Sequence, residues 1–264
     1  MNFTEETILL IDWGNTYIKC LLLSQPFDVD AQSNNIVKMN SVDELEKIIL
    51  TEKQTINLNK AYISSVRKSS ENDKLKSLLE KLSIEIQFAK TSNSFANILC
   101  AYKEFKSLGI DRWMAIIAGY DGTKSTAIID LGSAITFDIV ESNGSHIGGQ
   151  IVPGKKLLLE SLSFTDRVIV SNEDLESNQS QVGSSTNECV RLGIEQMIKG
   201  YLISIIGDSK YKHQIERWVF TGGGGEYWMR NLISDKTNNQ IIKDNSFYEP
   251  ALIFKGLVKY FKLV

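Results

Sequence analysis

Apolar residues in this chain gather into short runs, and two of those runs end the same way. Ile8-Leu9-Leu10-Ile11 leads into Asp12-Trp13-Gly14-Asn15-Thr16, and Ala127-Ile128-Ile129 leads into Asp130-Leu131-Gly132-Ser133-Ala134-Ile135-Thr136. Residues 7–11 and 17–23 are apolar and β-prone, so the polar stretch between them reads as the turn of a hairpin. Residues 126–129 and 134–140 read as a second hairpin of the same kind. Ser142-Asn143-Gly144 is a further turn, and 146–152 a third strand closed by Pro153-Gly154. Another apolar run, Trp218-Val219-Phe220, ends in the glycine turn Thr221-Gly222-Gly223-Gly224-Gly225.

Helical spacing fills the intervals. Residues 42–50 carry apolar side chains at Val42, Leu45, Ile48 and Ile49, with Ser41 as N-cap. Residues 75–82 and 95–105 are read as helices too. Residues 110–120 are apolar enough for a buried helix, and it carries Asp111 and Arg112 at its N-terminal end, where the helix dipole favours anions. A short helix is expected from Gly154 to Phe164, an exposed polar loop over 171–181, and helices over 189–206, 226–233 and 251–261, the last led by Pro250. Strands and helices interleave throughout, which predicts an α/β protein of two layered domains.

Composition narrows the partners. A chain of 264 residues that is 42% hydrophobic buries a sizeable core, and a net charge of -3 offers no general attraction to nucleic acid or anionic lipid. A small-molecule ligand is the default. Cys20, Cys100 and Cys189 are far apart and form no C-x-x-C pair, so reduced thiols in a cytoplasmic protein are expected. The expected protein is soluble and unexported, because the N-terminus has no basic leader and no apolar run approaches the roughly 18 residues of a membrane span.

The repeated turns suggest a nucleotide. A triphosphate needs backbone and hydroxyl donors that come close to it, and carboxylates that hold its metal ion. Gly14 and Gly132 allow the approach, and Asn15, Thr16, Ser133 and Thr136 supply neutral donors. Asp12 and Asp130 would end their strands facing each other across a cleft between two related domains. One Asp-x-Gly turn alone is an ordinary hairpin turn; the repeat is what points to phosphate. A P-loop is not the route, because Gly122-Thr123-Lys124-Ser125 has the wrong order.

Taken in order, Asp12-Trp13-Gly14-Asn15-Thr16, Gly109-Ile110-Asp111-Arg112, Asp130-Leu131-Gly132-Ser133 through Thr136, Gly148-Gly149-Gln150-Ile151-Val152-Pro153-Gly154 and Thr221-Gly222-Gly223 resemble type III pantothenate kinase over nearly the whole chain. The resemblance implies the actin, sugar-kinase and Hsp70 superfamily fold: two duplicated ribonuclease H-like domains, expected over residues 1–111 and 112–264, with ATP in the cleft. It implies phosphorylation of pantothenate at the entry to coenzyme A synthesis, by a homodimer. By position, Asp111 matches the general base, and Arg112 matches a contact to anionic substrate groups. Asp12 through Lys19 matches the first ATP-phosphate segment, with Gly132, Ser133, Thr221, Gly222 and Gly223 on the nucleotide side as well. Asp130 matches the ligand of a monovalent cation, potassium or ammonium; Asp12 and Asp130 are both read as cation or metal-water ligands, and magnesium is expected with the ATP. Gly109 and Ile110 belong to the substrate segment, Tyr102 matches a pantothenate contact, and Thr186 matches a residue that reaches the partner subunit's substrate.

Each of these has a plainer reading. Asp111 and Arg112 suit a capped helix start with a surface ion pair, Tyr102 a buried ring beside Phe95, Leu99 and Phe105, and Thr186 an N-cap. The chain departs from the family at Ser133, where threonine is usual, at the lengthened glycine run, and at Phe105-Lys106-Ser107-Leu108, where a proline is common. His146 and His213 read as structural or solvated, and the four tryptophans as packing residues, with Trp13 singled out because it lies inside the phosphate turn. Two rivals remain: a regulatory relative of the same fold without turnover, and a sugar kinase of the superfamily.

Overall fold

The computed structural model describes residues 6–163, 182–208, 214–234 and 242–263. The first half of the chain builds strands β1 (Glu6–Trp13), β2 (Ile18–Ser24), β3 (Val37–Met39), β4 (Asn57–Ser65) and β5 (Glu85–Phe88), with helices α1 (Val29–Gln32), α2 (Val42–Glu52) and α3 (Ser69–Lys81) among them. A small hairpin, β6 (Ser94–Phe95) and β7 (Ile98–Leu99), precedes helix α4 (Ile110–Gly119). The second half supplies β8 (Thr126–Leu131), β9 (Ala134–Val140), β10 (His146–Pro153), α5 (Lys155–Ser163), α6 (Thr186–Gly207), β11 (Arg217–Thr221), α7 (Gly225–Ser234), β12 (Ser246–Tyr248) and α8 (Leu252–Phe261).

The two sheets repeat one plan. Each has five strands, ordered β3-β2-β1-β4-β5 in the first and β10-β9-β8-β11-β12 in the second, so both read third, second, first, fourth, fifth along the chain. In the first sheet β1 pairs antiparallel with β2 and parallel with β4, which pairs parallel with β5. In the second, β11 and β12 pair parallel. The α/β class and the duplication expected from the repeated Asp-x-Gly turns are both observed.

The sequence explains the central strands. Residues 7–13 of β1 are all buried, as a strand covered on both faces requires, and its near-continuous apolar run supplies side chains for both. Leu9 and Ile11 of β1 share one cluster with Leu45 and Ile49 of α2 and Leu75 and Leu79 of α3. Helix α2 starts where expected: the Ser41 hydroxyl accepts from Glu44 N at 3.2 Å, and Glu44 Oε2 accepts from Asn40 N at 3.1 Å.

Contacts group the chain into two compact units. One takes in the chain up to Thr126 together with Asp138–Gly148 and Glu249 onward, and the other takes in Ala127–Phe137 and Gly149–Tyr248. The boundary expected at Asp111 and Arg112 falls inside α4, which belongs with the first unit and packs there on α8. Gly256 makes that crossing close, since a Cβ on it would come 2.9 Å from Met114 Cα. Lys259 Nζ donates to the carbonyls of Ile117 and Ala118 at 3.3 and 3.1 Å, placing a cation at the C-terminal end of α4.

One expected helix is absent. Residues 95–105 form the β6–β7 hairpin and an irregular approach to α4, because the backbone turns at Ala96 (φ 49°) and Leu99 N bonds Gly144 O at 3.0 Å. Phe95 stacks on Tyr260 with ring centroids 5.6 Å apart, so its apolar surface is used by another part of the chain. The expected loop over 171–181, and His213, lie outside the described residues.

Candidate active site

The first Asp-x-Gly turn is closed and braced from outside itself. The hairpin register sets Asp12 opposite Lys19, and Lys19 Nζ lies 3.9 Å from Asp12 Oδ2. Asp12 is buried, and Gly14 N donates to Tyr17 O at 3.1 Å across the turn. Asn15 is exposed and Thr16 half-buried. Arg67, two residues past the end of β4, lies over the Trp13 ring at 5.8 Å, donates from Nη1 to Asn15 O at 2.8 Å, and pairs with Glu71. Sequence reasoning missed Arg67, which lies 52 residues from Asn15.

The second turn is built in the other unit by backbone bonds, with approaches at Gly154 and Gly222 that only glycine allows. Gly132 N donates to Ala134 O, Gly154 N to Ser133 O and Gly224 N to Leu131 O, each at 3.0 Å. Gly222 has φ 82°, and a Cβ there would stand 2.7 Å from Leu131 O and collide with the Asp130 carboxylate. Asp130, Gly132, Ser133, buried Thr221, Gly222 and exposed Gly223 are therefore brought together. The Gly-Gly-x-Ile-x-Pro-Gly strand end takes part through Gly154, whose Cβ would lie 2.7 Å from Ser133 O.

The start of α4 holds a buried ionic network. Gly109 is the N-cap, and a Cβ on it would lie 2.6 Å from Asp111 Oδ1, so the glycine clears the space this carboxylate occupies. Asp111 Oδ1 accepts from Arg112 N at 2.8 Å. Burial pushes the Asp111 carboxyl above its ordinary pKa, against the opposing pull of the Arg112 N–H and charge. Arg112 is buried and donates from Nε to Asp138 Oδ2 at 2.8 Å, from Nη2 to Asp138 Oδ1 at 2.6 Å, and from Nη1 to Tyr102 OH at 2.9 Å. Burial works against the guanidinium charge, and the bonds and charge of Asp138 outweigh it, so Arg112 stays protonated.

The surface ion pair read as the plainer alternative at Arg112 is not what forms: its partner is Asp138, and both side chains are buried. His146, fully buried, lies with Nε2 3.0 Å from Asp138 Oδ1, and its ring stacks on Tyr102 at 6.4 Å. Tyr102 sits on no helix with Phe95 and Leu99, which belong to the β6–β7 hairpin. Ile110 is buried as the first residue of α4. Thr186 is exposed at the start of α6 and is not the N-cap: Ser185 is, in a capping box with Glu188.

Among the described residues no group of three or more His, Cys, Asp or Glu forms a ready metal site. Asp12 and Asp130 are single carboxylates at separate turns. Such donors suit a hard cation that takes one or two carboxylates and fills its shell with water and substrate phosphate. No helix among the described residues is long and apolar enough to cross a membrane.

Comparison with known proteins gives the family. The model of the type III pantothenate kinase family matches residues 8–207. A type III pantothenate kinase of Pseudoalteromonas atlantica is 27% identical over 258 residues, covering 97% of this chain and 98% of the relative. Another, of Colwellia psychrerythraea, is 30% identical over 257 residues, covering 96% and 99%. The crystal structure of a Campylobacter jejuni protein described as a Baf family transcriptional activator is 22% identical with a TM-score of 0.55, covering 96% and 97%, and shares the fold. The matched stretch takes in both Asp-x-Gly turns, the Gly109–Arg112 helix start and the strand ending at Gly154. With relatives alike from end to end, this chain belongs to the type III pantothenate kinase family.

Proposed function

We propose that the chain transfers the γ-phosphoryl group of ATP to the 4'-hydroxyl of pantothenate, giving 4'-phosphopantothenate and ADP. The observation that carries this reading is Asp111: a carboxylate at the first turn of a buried helix, in space cleared by Gly109, beside an ionised arginine. The pantothenate hydroxyl oxygen bonds to the γ-phosphorus as the bond to the β-phosphate oxygen breaks, and the hydroxyl proton passes to Asp111. The proton is lost late, when the attacking oxygen is already bonding to phosphorus, so the carboxylate chiefly orients the nucleophile. Burial, which raises its pKa, strengthens it as a base.

Asp12, Gly14, Asn15, Thr16 and Lys19 are the proposed contacts of the first phosphate segment. Gly132, Ser133, Thr221, Gly222 and Gly223 are those of the second. Asp12 would hold magnesium and Asp130 potassium or ammonium; when bound, these ions neutralise phosphate charge. Tyr102, Gly109, Ile110 and Arg112 line the pantothenate side. The two ribonuclease H-like domains, the cytoplasmic location and the absence of nucleic-acid partners belong to the same proposal.

A homodimer is proposed as the working unit, with Thr186 reaching the partner's substrate. Exposed apolar side chains on the second unit support it, at Ile151 of β10, Leu157 and Leu162 of α5 and Met197 of α6. The test is ADP release by the full chain with ATP, magnesium and potassium, with and without pantothenate, beside Asp111→Asn. Pantothenate-dependent release that the variant loses supports the kinase. No release above background from folded dimer would sink it and favour a regulatory relative.

A further inference from the structure

Asp138 and His146 lie outside the segments that carry the kinase reading, yet they fix the residues that do. Both are buried. Asp138, on β9, takes the Nε and Nη2 edge of Arg112 with its two oxygens at 2.8 and 2.6 Å, a fork-to-fork pairing that sets the plane of the guanidinium. His146, opening β10, holds the carboxylate in turn. Its Nδ1 accepts from Ala101 N at 3.3 Å, so a neutral ring carries its proton on Nε2, which donates to Asp138 Oδ1 at 3.0 Å.

The pairing changes what Arg112 does. Its charge is matched by Asp138, so the network is not a free cation waiting for an anion. What remains is direction. A guanidinium N–H can only donate, so the Tyr102 oxygen accepts from Nη1 and the Tyr102 hydroxyl hydrogen turns away from Arg112. The hydroxyl hydrogen, and the guanidinium hydrogens that Asp138 and Tyr102 leave over, can then be given only to an acceptor.

We infer that Asp138 and His146 are positioning residues of the pantothenate site: they lock Arg112, and through it present the Tyr102 hydroxyl to an oxygen acceptor of the substrate, its carboxylate or an amide carbonyl. The inference rests on the kinase reading above. It assigns the network to the acceptor substrate and not to the nucleotide.

Steady-state ADP release by the full chain tests this, with KM for pantothenate and for ATP measured separately in wild type, His146→Leu, His146→Gln and Asp138→Asn. Leucine removes the donor to Asp138. Glutamine keeps it, and can also accept from Ala101 N. His146→Leu is expected to raise the pantothenate KM about tenfold with the ATP KM within about twofold, as loss of a supporting shell does elsewhere. His146→Gln is expected to return to within about threefold of wild type, and Asp138→Asn to exceed His146→Leu.

A merely structural role gives a different pattern, in which both KM values and kcat worsen together and glutamine rescues nothing; that result overturns the inference. So does an unchanged pantothenate KM in folded His146→Leu. If Asp138→Asn does not fold, the two His146 variants still decide. Wild type without pantothenate-dependent release overturns the kinase reading and this inference with it, whereas a working wild type with an unmoved His146→Leu overturns the inference alone.

Discussion

Gly109→Ala separates the position of the Asp111 carboxylate from its presence. Gly109 has φ -55° and ψ 136°, which alanine adopts without strain, so the substitution acts through its added methyl group. That Cβ would stand 2.6 Å from Asp111 Oδ1, about 0.8 Å inside the 3.4 Å at which ordinary contact begins. Oδ1 is the oxygen that accepts from Arg112 N, so the carboxylate has to leave that bond to make room.

A misplacement of about 1 Å can cost a reaction about 100-fold, which corresponds to about 2.7 kcal/mol of transition-state stabilisation. The expected result is therefore a kcat down by about two orders of magnitude, with the ATP KM little changed. Stability should fall by no more than about 1 kcal/mol, because glycine is only a modest N-cap to lose. The assay is ADP release at saturating substrates, with thermal unfolding as the control for folding. A folded Gly109→Ala that keeps kcat within about threefold of wild type would refute the claim that this glycine sets the geometry of the base.

Other expectations follow from the same contacts. Because burial raises the native pKa of Asp111, its ionised form costs stability, a cost absent below the unfolded pKa of about 3.9 and growing as pH rises toward the native value. Asp111→Asn should thus unfold at a higher temperature than wild type at pH 7, with the gap closing near pH 4; a gap that widens on acidification would contradict the desolvation argument. Gly222→Ala places a methyl group at φ 82° against Leu131 and Asp130 and should cost about 1–3 kcal/mol, read as a lower melting temperature together with a higher ATP KM. Arg67→Met removes the bond to Asn15 O and the pair with Glu71, and should raise the KM for ATP while leaving that for pantothenate unmoved. Equal changes in both constants would show that the brace does not act on the proposed phosphate turn.

Much of the frame was legible in the chain. The hairpins at Asp12 and Asp130 could be read because turn chemistry and apolar runs are local signals, and Ser41 and the apolar spacing behind it announced α2 for the same reason. Strands β4 and β5 went unread. In β5, Glu85 and Gln87 are exposed while Ile86 and Phe88 are only half-buried, so a short edge strand carries little apolar signal. The helix expected over 95–105 failed because Leu99 found a backbone partner in Gly144, and Phe95 a ring in Tyr260.

The site divides in the same way. By itself the sequence singled out the side chains proposed to carry chemistry: Asp12, Asp111, Arg112, Asp130 and the glycines stand in contiguous motifs. Only the tertiary structure decided who holds them. Arg112 meets Asp138 across 26 residues, Asp138 meets His146 across 8, and Arg67 reaches Asn15 across 52. Each of those bonds is made by strands and helices whose neighbours are chosen by packing. A buried charge must find its partner wherever the fold places one, and no local pattern in the chain records where that is.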